Sequence, residues 1–352
     1  MTTIKDIARL ANCSLSTVSK ALNGRRDVSA VMRERIMYIA QEQKFIPNAY
    51  GKGLRNKRTE SVGVIFCRET RPLSMNPFYS RVLEGIEAEL VINNYNLVLH
   101  LLSEEYHGEL PKLIKERTVD GIILAGILDH KFVEQVKNTS IPVVFVNPNF
   151  LNEDYDQILI DDEHGGFQAT QYLINKGHRR IGFISGNLER ISFLFRYQGY
   201  RKALTYNKIE YDDQIVRTGG LENGYEQVSA LVKLKNRVTA IFATNDLNAI
   251  YGYKAIEDAG LRIPQDVSII GFDDIDLSKI ANPPLTTLRV YKEEMGSIAV
   301  RKLLQIINKE NHKPTTTLLP VKLIERDSVN DRNLDATDRV KNIPKAQNVE
   351  SI

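Results

Sequence analysis

The sequence predicts two kinds of structure in one chain. A small all-helical head with a helix-turn-helix is joined by a hinge to a two-lobed α/β body with parallel sheets. Three observations predict this. Residues 3–22 carry two short apolar stripes at helical spacing with a break between them. From Ser61 onward, apolar runs of strand length alternate with amphipathic stretches, and the alternation starts again near residue 157. At 352 residues the chain is also too long for one ordinary domain.

The head comes first. Ile4, Ile7, Ala8 and Ala11 recur at helical spacing. Ala11-Asn12-Cys13 reads as a tight break, and Ser14 stands where its hydroxyl can cap the next helix. Leu15, Val18, Ala21 and Leu22 form the second stripe. Two short helices joined this way make a helix-turn-helix. Ser16, Thr17, Ser19 and Lys20 lie largely off the stripe. Short donors with one long cation suit base edges and phosphates in a major groove. Asn23-Gly24-Arg25-Arg26 is a turn whose two cations are placed for phosphates. Ser29 can cap a third helix, running to about Gln43, with Val31, Met32, Ile36, Ile39 and Ala40 facing inward. Pro47 then stops helical structure.

Any small helical bundle contains such a hairpin, and charge separates the two readings. Residues 1–60 hold twelve Lys/Arg against five Asp/Glu, a charge of +7, which leaves −4 on the rest of a chain whose net charge is +3. A basic head on a mildly acidic body fits a polyanion-binding module attached to a ligand domain. Residues 48–58 form the joint, where Gly51 and Gly53 weaken any helix. Leu54, apolar among cations, is either a linker residue packing on the body or a wedge for a minor groove.

In the body, residues 62–66, 97–101, 121–124 and 142–146 are apolar runs, with helices over 78–93, 108–117 and 131–138. Val82, Leu83, Ile86, Leu90 and Val91 mark the first of these helices. The second set comprises strands at 157–160, 181–185, 240–243 and 267–272 and helices at 163–176, 193–207 and 246–259. Helix 293–308 and strand 318–326 come last and recross between lobes. Continuous apolar strands argue a parallel sheet covered on both faces, and two such lobes suggest a clamshell with ligand between strand ends.

Polar groups gather where these strands end: Phe78 in Asn76-Pro77-Phe78-Tyr79, then Asp161, Arg190, Ser192, Arg196, Asn245 and Asp273. Carboxylates, amides, guanidinium groups and an aromatic ring suit a polyhydroxylated ligand. Asp161 can equally serve only as a cap of helix 163–176, and Asp246 or Asn245 only as a cap of helix 246–259.

The head and hinge, from Thr3-Ile-Lys-Asp-Ile-Ala through Thr17-Val-Ser-Lys-Ala-Leu-Asn-Gly24 to Pro47-Asn-Ala49 and Leu54-Arg55, resemble those of the LacI/GalR family of bacterial repressors. The body resembles the same family and the periplasmic sugar-binding proteins, through Gly177-His-Arg-Arg-Ile-Gly, Ala243-Thr-Asn-Asp, Ile263-Pro-Gln-Asp-Val, Gly271-Phe-Asp-Asp and Pro284-Leu-Thr-Thr-Leu. The resemblance covers residues 2–328. It implies a periplasmic-binding-protein-like body and a ligand-responsive regulator, most often a repressor, that binds a pseudo-palindromic DNA operator as a homodimer in the bacterial cytoplasm, on the nucleoid. It implies a hinge leucine, Leu54, that pries open the central base step, and base contacts by Leu15, Ser16 and Lys20. Lys20 stands where the family most often has Arg, and Gly51-Lys52-Gly53 where it has Ala-Arg-Ser. The DNA-facing set is then Thr3, Ser14, Leu15, Ser16, Thr17, Ser19, Lys20, Asn23, Arg25, Leu54 and Arg55. Ligand contact falls on Phe78, Asp161, Arg190, Ser192, Arg196, Asn245 and Asp273, and the dimer surface on helix 78–93.

The expected organisation is a head over residues 1–46, a hinge over 47–59, a body over 60–330 and a flexible tail over 331–352. Within the body, lobe one takes about 60–160 and 292–318, and lobe two about 161–291 and 319–330. The effector is expected to be a sugar or sugar derivative, with a nucleobase as the alternative. An α/β enzyme acting on a carbohydrate is the competing class. Against it stand the missing Gly-rich phosphate loop, Gly-x-Ser-x-Gly elbow and metal-ligand spacing. No cofactor or metal is expected. No apolar run approaches the ~20 residues a membrane span needs, and no apolar signal region opens the chain. The only cysteines, Cys13 and Cys67, read as small core residues.

Overall fold

The computed structural model describes residues 2–22, 24–25, 27–45, 58–67, 72–102, 108–151, 153–220, 223–310 and 313–333. Asn23, Leu54, Arg55, most of the predicted hinge and the tail beyond 333 lie outside the described residues. The chain divides into two compact units, Met1–Glu60 and Ser61–Ile352.

The first unit is three helices, α1 (Ile4–Ala11), α2 (Leu15–Leu22) and α3 (Ala30–Glu42). Thr3 and Asp6 close a capping box at the start of α1, and Asn12 ends the helix in the left-handed region at φ 51°. Ser14 Oγ accepts from Thr17 N at 3.0 Å, so the expected cap of α2 is formed. Ser29 Oγ accepts from Met32 N at 3.3 Å at the start of α3. The core is Ile7, Ala8, Ala11, Val18, Ala21, Val28, Ile36 and Ala40. Two expected inward residues turn outward: Val31 is 79% exposed and Leu15 46%. Val31 lies about 100° around the helix from the Met32–Ile36 stripe, and Leu15 opens α2 before it crosses the core.

The second unit begins with β1 (Ser61–Cys67), α4 (Tyr79–Ile92), β2 (Asn96–Leu102), the one-turn α5 (Lys112–Lys115), β3 (Gly121–Ala125), α6 (His130–Lys137), β4 (Val143–Val146) and β5 (Asp156–Ile160). The chain then runs through α7 (Asp162–Asn175), β6 (Ile181–Ser185), α8 (Ile191–Tyr206), β7 (Val216–Thr218), α9 (Gly224–Val232), β8 (Ala240–Ala243), α10 (Asp246–Asp258), β9 (Ser268–Ile270), α11 (Asp276–Ile280) and β10 (Thr287–Arg289). It ends with α12 (Lys292–Ile307), β11 (Thr316–Leu319) and β12 (Lys322–Ile324).

One sheet has the order β11-β5-β4-β3-β1-β2 and another β7-β6-β8-β9. Both are parallel throughout, with Val64 opposite Leu99 and Ile123 in the first and Phe183 opposite Val216 and Phe242 in the second. Strands β3, β4, β6 and β8 are buried on both faces, which is why they read as unbroken apolar runs. One buried cluster runs from Val62, Val64 and Ile123 of the first sheet to Phe183 and Phe242 of the second and Phe272 just beyond β9.

The structure corrects four element-level expectations. Strand 157–160 belongs to the first sheet, between β4 and β11, and not to the second set. The predicted strand 318–326 is two strands, split at Pro320. Its first half pairs with β5, and its second half pairs antiparallel with β10. Proline has no N–H for a ladder and ends the first strand there. The predicted helix 108–117 shrinks to the single turn of α5. Val91, expected on the inner stripe of α4, is 62% exposed, because Val82, Ile86 and Leu90 define that stripe and Val91 stands a residue off it. Among the described residues no helix is long and apolar enough to cross a membrane.

Candidate functional site

In the body, the centre of the predicted site is Arg196. It lies one helical turn into α8, is 3% exposed, and faces the C-terminal ends of the second sheet. Its depth follows from a close helix crossing. A Cβ on Gly166 of α7 would fall 2.2 Å from Arg196 O, and one on Gly199 would fall 2.1 Å from Glu163 O. Only glycine permits that approach, and it brings the guanidinium beneath the start of α7. There Nε donates to Asp162 Oδ1 at 2.7 Å, and Nη1 donates to Thr244 O at 2.5 Å. Nη1 also lies 3.5 Å from Asp273 Oδ1, an ion pair without a hydrogen bond. The guanidinium carbon stacks 3.6 Å from the centroid of Phe272.

Two carboxylates therefore face one buried cation. Burial pushes Asp162 up to about 6, against the pull of Arg196. Burial likewise raises Asp273, while Arg196 and Lys292 pull it down. Asp273 Oδ1 is buried and has no hydrogen-bond partner. An acceptor left open beside a guanidinium is where a ligand hydroxyl or N–H gains most. Asp273 also holds φ 110° and Asp274 φ 52°, a backbone that L-residues adopt only when held. Asp246, fully buried, accepts from Thr287 Oγ1 at 2.5 Å and from Ile275 N at 2.9 Å, which ties the following loop down.

The other predicted residues divide. Asp161 and Asn245 do cap: Asp161 Oδ1 accepts from His164 N at 3.3 Å and Asn245 Oδ1 from Asn248 N at 2.8 Å. Asn245 follows Thr244, whose carbonyl binds Arg196, so the cap stands at the same strand end. Arg190 and Ser192 open α8, with the Arg190 guanidinium 5.6 Å from the Phe193 ring centroid. Phe78 belongs to lobe one, half-buried before α4, and packs edge-on to Tyr79 at 5.0 Å. A cavity of about 160 Å³ between Asn147, Leu151, Asp161, Ile191 and Phe195 joins the two lobes, and a polar groove of about 740 Å³ runs from Ser74 and Arg81 to Asp274 and Lys292. Neither is lined by Arg196 or Asp273, which sit deeper. Sequence reasoning missed Asp162 and Lys292. The doubled Asp161-Asp162 was the one signal for the first of them. Among the described residues no group of three or more His, Cys, Asp or Glu could hold a metal ion.

In the head, Ser14, Leu15 and Ser16 are exposed, with Thr17, Ser19 and Lys20 half-exposed on the same helix. Lys20 Nζ pairs with Asp27 Oδ2 at 2.6 Å. Thr3 is exposed at the capping box, and Arg25, also exposed, accepts from Arg33 Nη2 through its carbonyl at 2.5 Å.

The head matches the model for bacterial regulatory proteins of the lacI family over residues 3–48, and the body matches a periplasmic binding protein-like domain over residues 170–329. The ribose operon repressor of Haemophilus influenzae is 37% identical over 335 residues, spanning 94% of this chain and 99% of that protein. The chain belongs to the lacI family of bacterial regulatory proteins. A second family member, the PurR transcriptional repressor of Vibrio atlanticus, is 31% identical and covers 95% of this chain and all of that one. The lac repressor dimer bound to operator and the anti-inducer ONPF superposes with a TM-score of 0.81 at 26% identity, over 94% of this chain and 99% of that one. A family regulator from Enterococcus faecium with bound ribose superposes at 0.68 with 29% identity, over 77% of this chain and 99% of that one. As a member of this family, the chain is a DNA-binding regulator with a small-molecule effector body.

Proposed function

We propose that this lacI-family regulator is a dimeric repressor of a pseudo-palindromic operator, controlled by a sugar of the ribose class held at Arg196 and Asp273. The observation that carries the effector reading is the open Asp273 Oδ1 facing a buried guanidinium. That pair offers one acceptor and several donors to vicinal hydroxyls. The likeness to a ribose operon repressor and to a ribose-bound regulator supports a pentose. Arg190, Ser192 and Asn245 line the same helix starts, Asp161 and Phe78 complete the site from the lobe junction and lobe one, and residues 60–330 form the responding body. The protein acts by binding, without turnover, in the cytoplasm.

In the head, residues 1–46, the exposed face of Leu15, Ser16 and Lys20 reads bases, while Thr3, Ser14, Thr17, Ser19, Asn23 and Arg25 hold phosphates and position the helix. Residues 47–59 form the hinge, with Leu54 and Arg55 at the minor groove. The second copy packs on lobe one, where Val91, Ile92 and Leu99 are 62%, 74% and 41% exposed at the sheet edge.

A thermal-shift titration of the full chain against D-ribose, other sugars, sugar phosphates and nucleobases tests the effector. A ligand at about 100 times its Kd adds roughly 2.7 kcal/mol of stability. Asp273→Asn should abolish the ribose shift and leave DNA binding intact. A shift with nucleobases and none with sugars would replace the pentose reading. An undiminished shift in Asp273→Asn would refute the site.

A further inference from the structure

Lys292 is 5% exposed, with its Nζ set among main-chain oxygens. Its ammonium donates to three main-chain carbonyls: those of Asp273, of Asp274 at 3.5 Å and of Val290 at 3.4 Å. A buried ammonium is costly unless each of its three donors finds an acceptor, and here the backbone supplies all three.

Two of those carbonyls belong to the residues at φ 110° and φ 52°. Such a turn persists only where its surroundings fix it, each strained residue costing about 1–3 kcal/mol. Its N–H side is held by Asp273 N donating to Leu288 O at 2.8 Å. Its side-chain edge is held by Arg289 Nε and Arg326 Nη2, both 2.6 Å from the Asp274 carboxylate. The carbonyl edge is held by Lys292.

That third hold comes from the other lobe. Lys292 opens α12, which packs on α4 and on strands β3 to β5 of lobe one. The packing is backbone to backbone at this point. A Cβ on Gly85 of α4 would fall 1.9 Å from Glu293 O, and one on Gly296 would fall 2.2 Å from Val82 O. Glu293 is the next residue after Lys292, so the ammonium cannot follow the turn without dragging α12 against α4.

We propose that Lys292 is a positioning residue with two effects: it aims the Asp273 carboxylate at Arg196, and it passes any movement of that turn into lobe one. The second effect rests on Asp273 being an effector contact. An effector hydroxyl on the open Asp273 Oδ1 pulls the turn. The carbonyls of the same two residues shift with it, and the ammonium carries the displacement to α12 and α4. A chain of packed groups transmits coupling when it ends on an element with two arrangements, and α4 lies beside the face assigned above to the second subunit.

Hydrogen–deuterium exchange on the full-length chain, with and without D-ribose, tests this in Lys292→Met and Lys292→Arg. Without ribose, Lys292→Met should speed exchange by about tenfold or more at the amides of Asp273, Ile275 and Ser278, with β6 and β8 unchanged. With ribose, wild type should gain protection at 273–278 and in α4, while the variant gains it in lobe two alone. Wild-type exchange at 273–278 in ligand-free Lys292→Met would overturn the proposal, as would a wild-type response of its α4 to ribose. If Lys292→Met loses protection throughout β6 and β8, Lys292→Arg decides. A planar guanidinium cannot match three converging carbonyls, so exchange at 273–278 should rise, and unchanged rates there refute the positioning claim. Failure of ribose to protect any wild-type amide overturns the sugar reading instead, and the ligand-free arm still judges Lys292.

Discussion

Replacing Arg196 by Met removes the cation and keeps most of the apolar stem. The variant loses the 2.7 Å bond to Asp162, the 2.5 Å bond to Thr244 O, the ion pair to Asp273 and the stacking on Phe272. It leaves Asp162 buried without its counter-charge and Asp273 with only Lys292 nearby. Removing one partner of a buried pair costs about 3–5 kcal/mol, most of it the penalty on what is left behind. Domains of a few hundred residues lose about 2–4 °C in Tm per kcal/mol, so the body transition should fall by roughly 6–20 °C in calorimetry. Asp162→Asn added to Arg196→Met should recover part of that loss, since a neutral amide tolerates the site. The double-mutant coupling should exceed about 1 kcal/mol. A fall of a degree or less, or a double variant no more stable than Arg196→Met, would refute the view that Arg196 compensates Asp162.

Two further outcomes follow from the same physics. Burial, and secondarily the charge of Arg332, lower His178 to about 4, below its ordinary 6.5, so its contribution to stability is lost as pH falls from 6.5 to 4. Asp162, raised by burial from 3.8 to about 6, contributes with the opposite sign and favours the fold as pH falls from 6 to 4. Each effect is on the order of 2–3 kcal/mol. Asp162→Asn should therefore steepen the loss of Tm below pH 6, and His178→Gln should flatten it. Unchanged pH profiles would contradict both assignments. In the DNA arm, Leu54→Ala should weaken binding of an operator fragment at least about tenfold while leaving the ribose thermal shift alone. Equal loss of both would count against a wedge.

Much of the architecture was legible because strands buried on both faces must be apolar throughout, as in 121–124 and 240–243. The helices of α7, α8, α10 and α12 could be read to within about two residues for a related reason, since each buries one stripe at helical spacing. The three-residue strands β7 and β10 and the helix α9 escaped notice, because so short a segment owes its structure to its neighbours and not to its own period. At the site, position put Arg196 and Asp273 among several polar groups at strand ends, and the family resemblance singled them out as expected effector contacts. The division of work between Asp161 and Asp162 could not. Which of two adjacent aspartates turns back to cap and which reaches the guanidinium depends on where the helix starts, to a single residue. Lys292 was invisible for a different reason: its partners are carbonyls, which every residue possesses.

The pairing of Lys20 with Asp27 bears on how DNA affinity responds to salt. A free surface lysine brings a full charge to the duplex and displaces about one condensed counterion per phosphate neutralised. In this head Lys20 already has an anion 2.6 Å away. On the reading proposed above, a base contact by Lys20 trades Asp27 for an uncharged base acceptor and leaves Asp27 to be solvated, so Lys20 adds less to the salt slope than its formal charge suggests. In that reading Asp27 taxes every encounter with DNA equally, and only a base edge that offers Lys20 more than one acceptor gives the exchange a net gain.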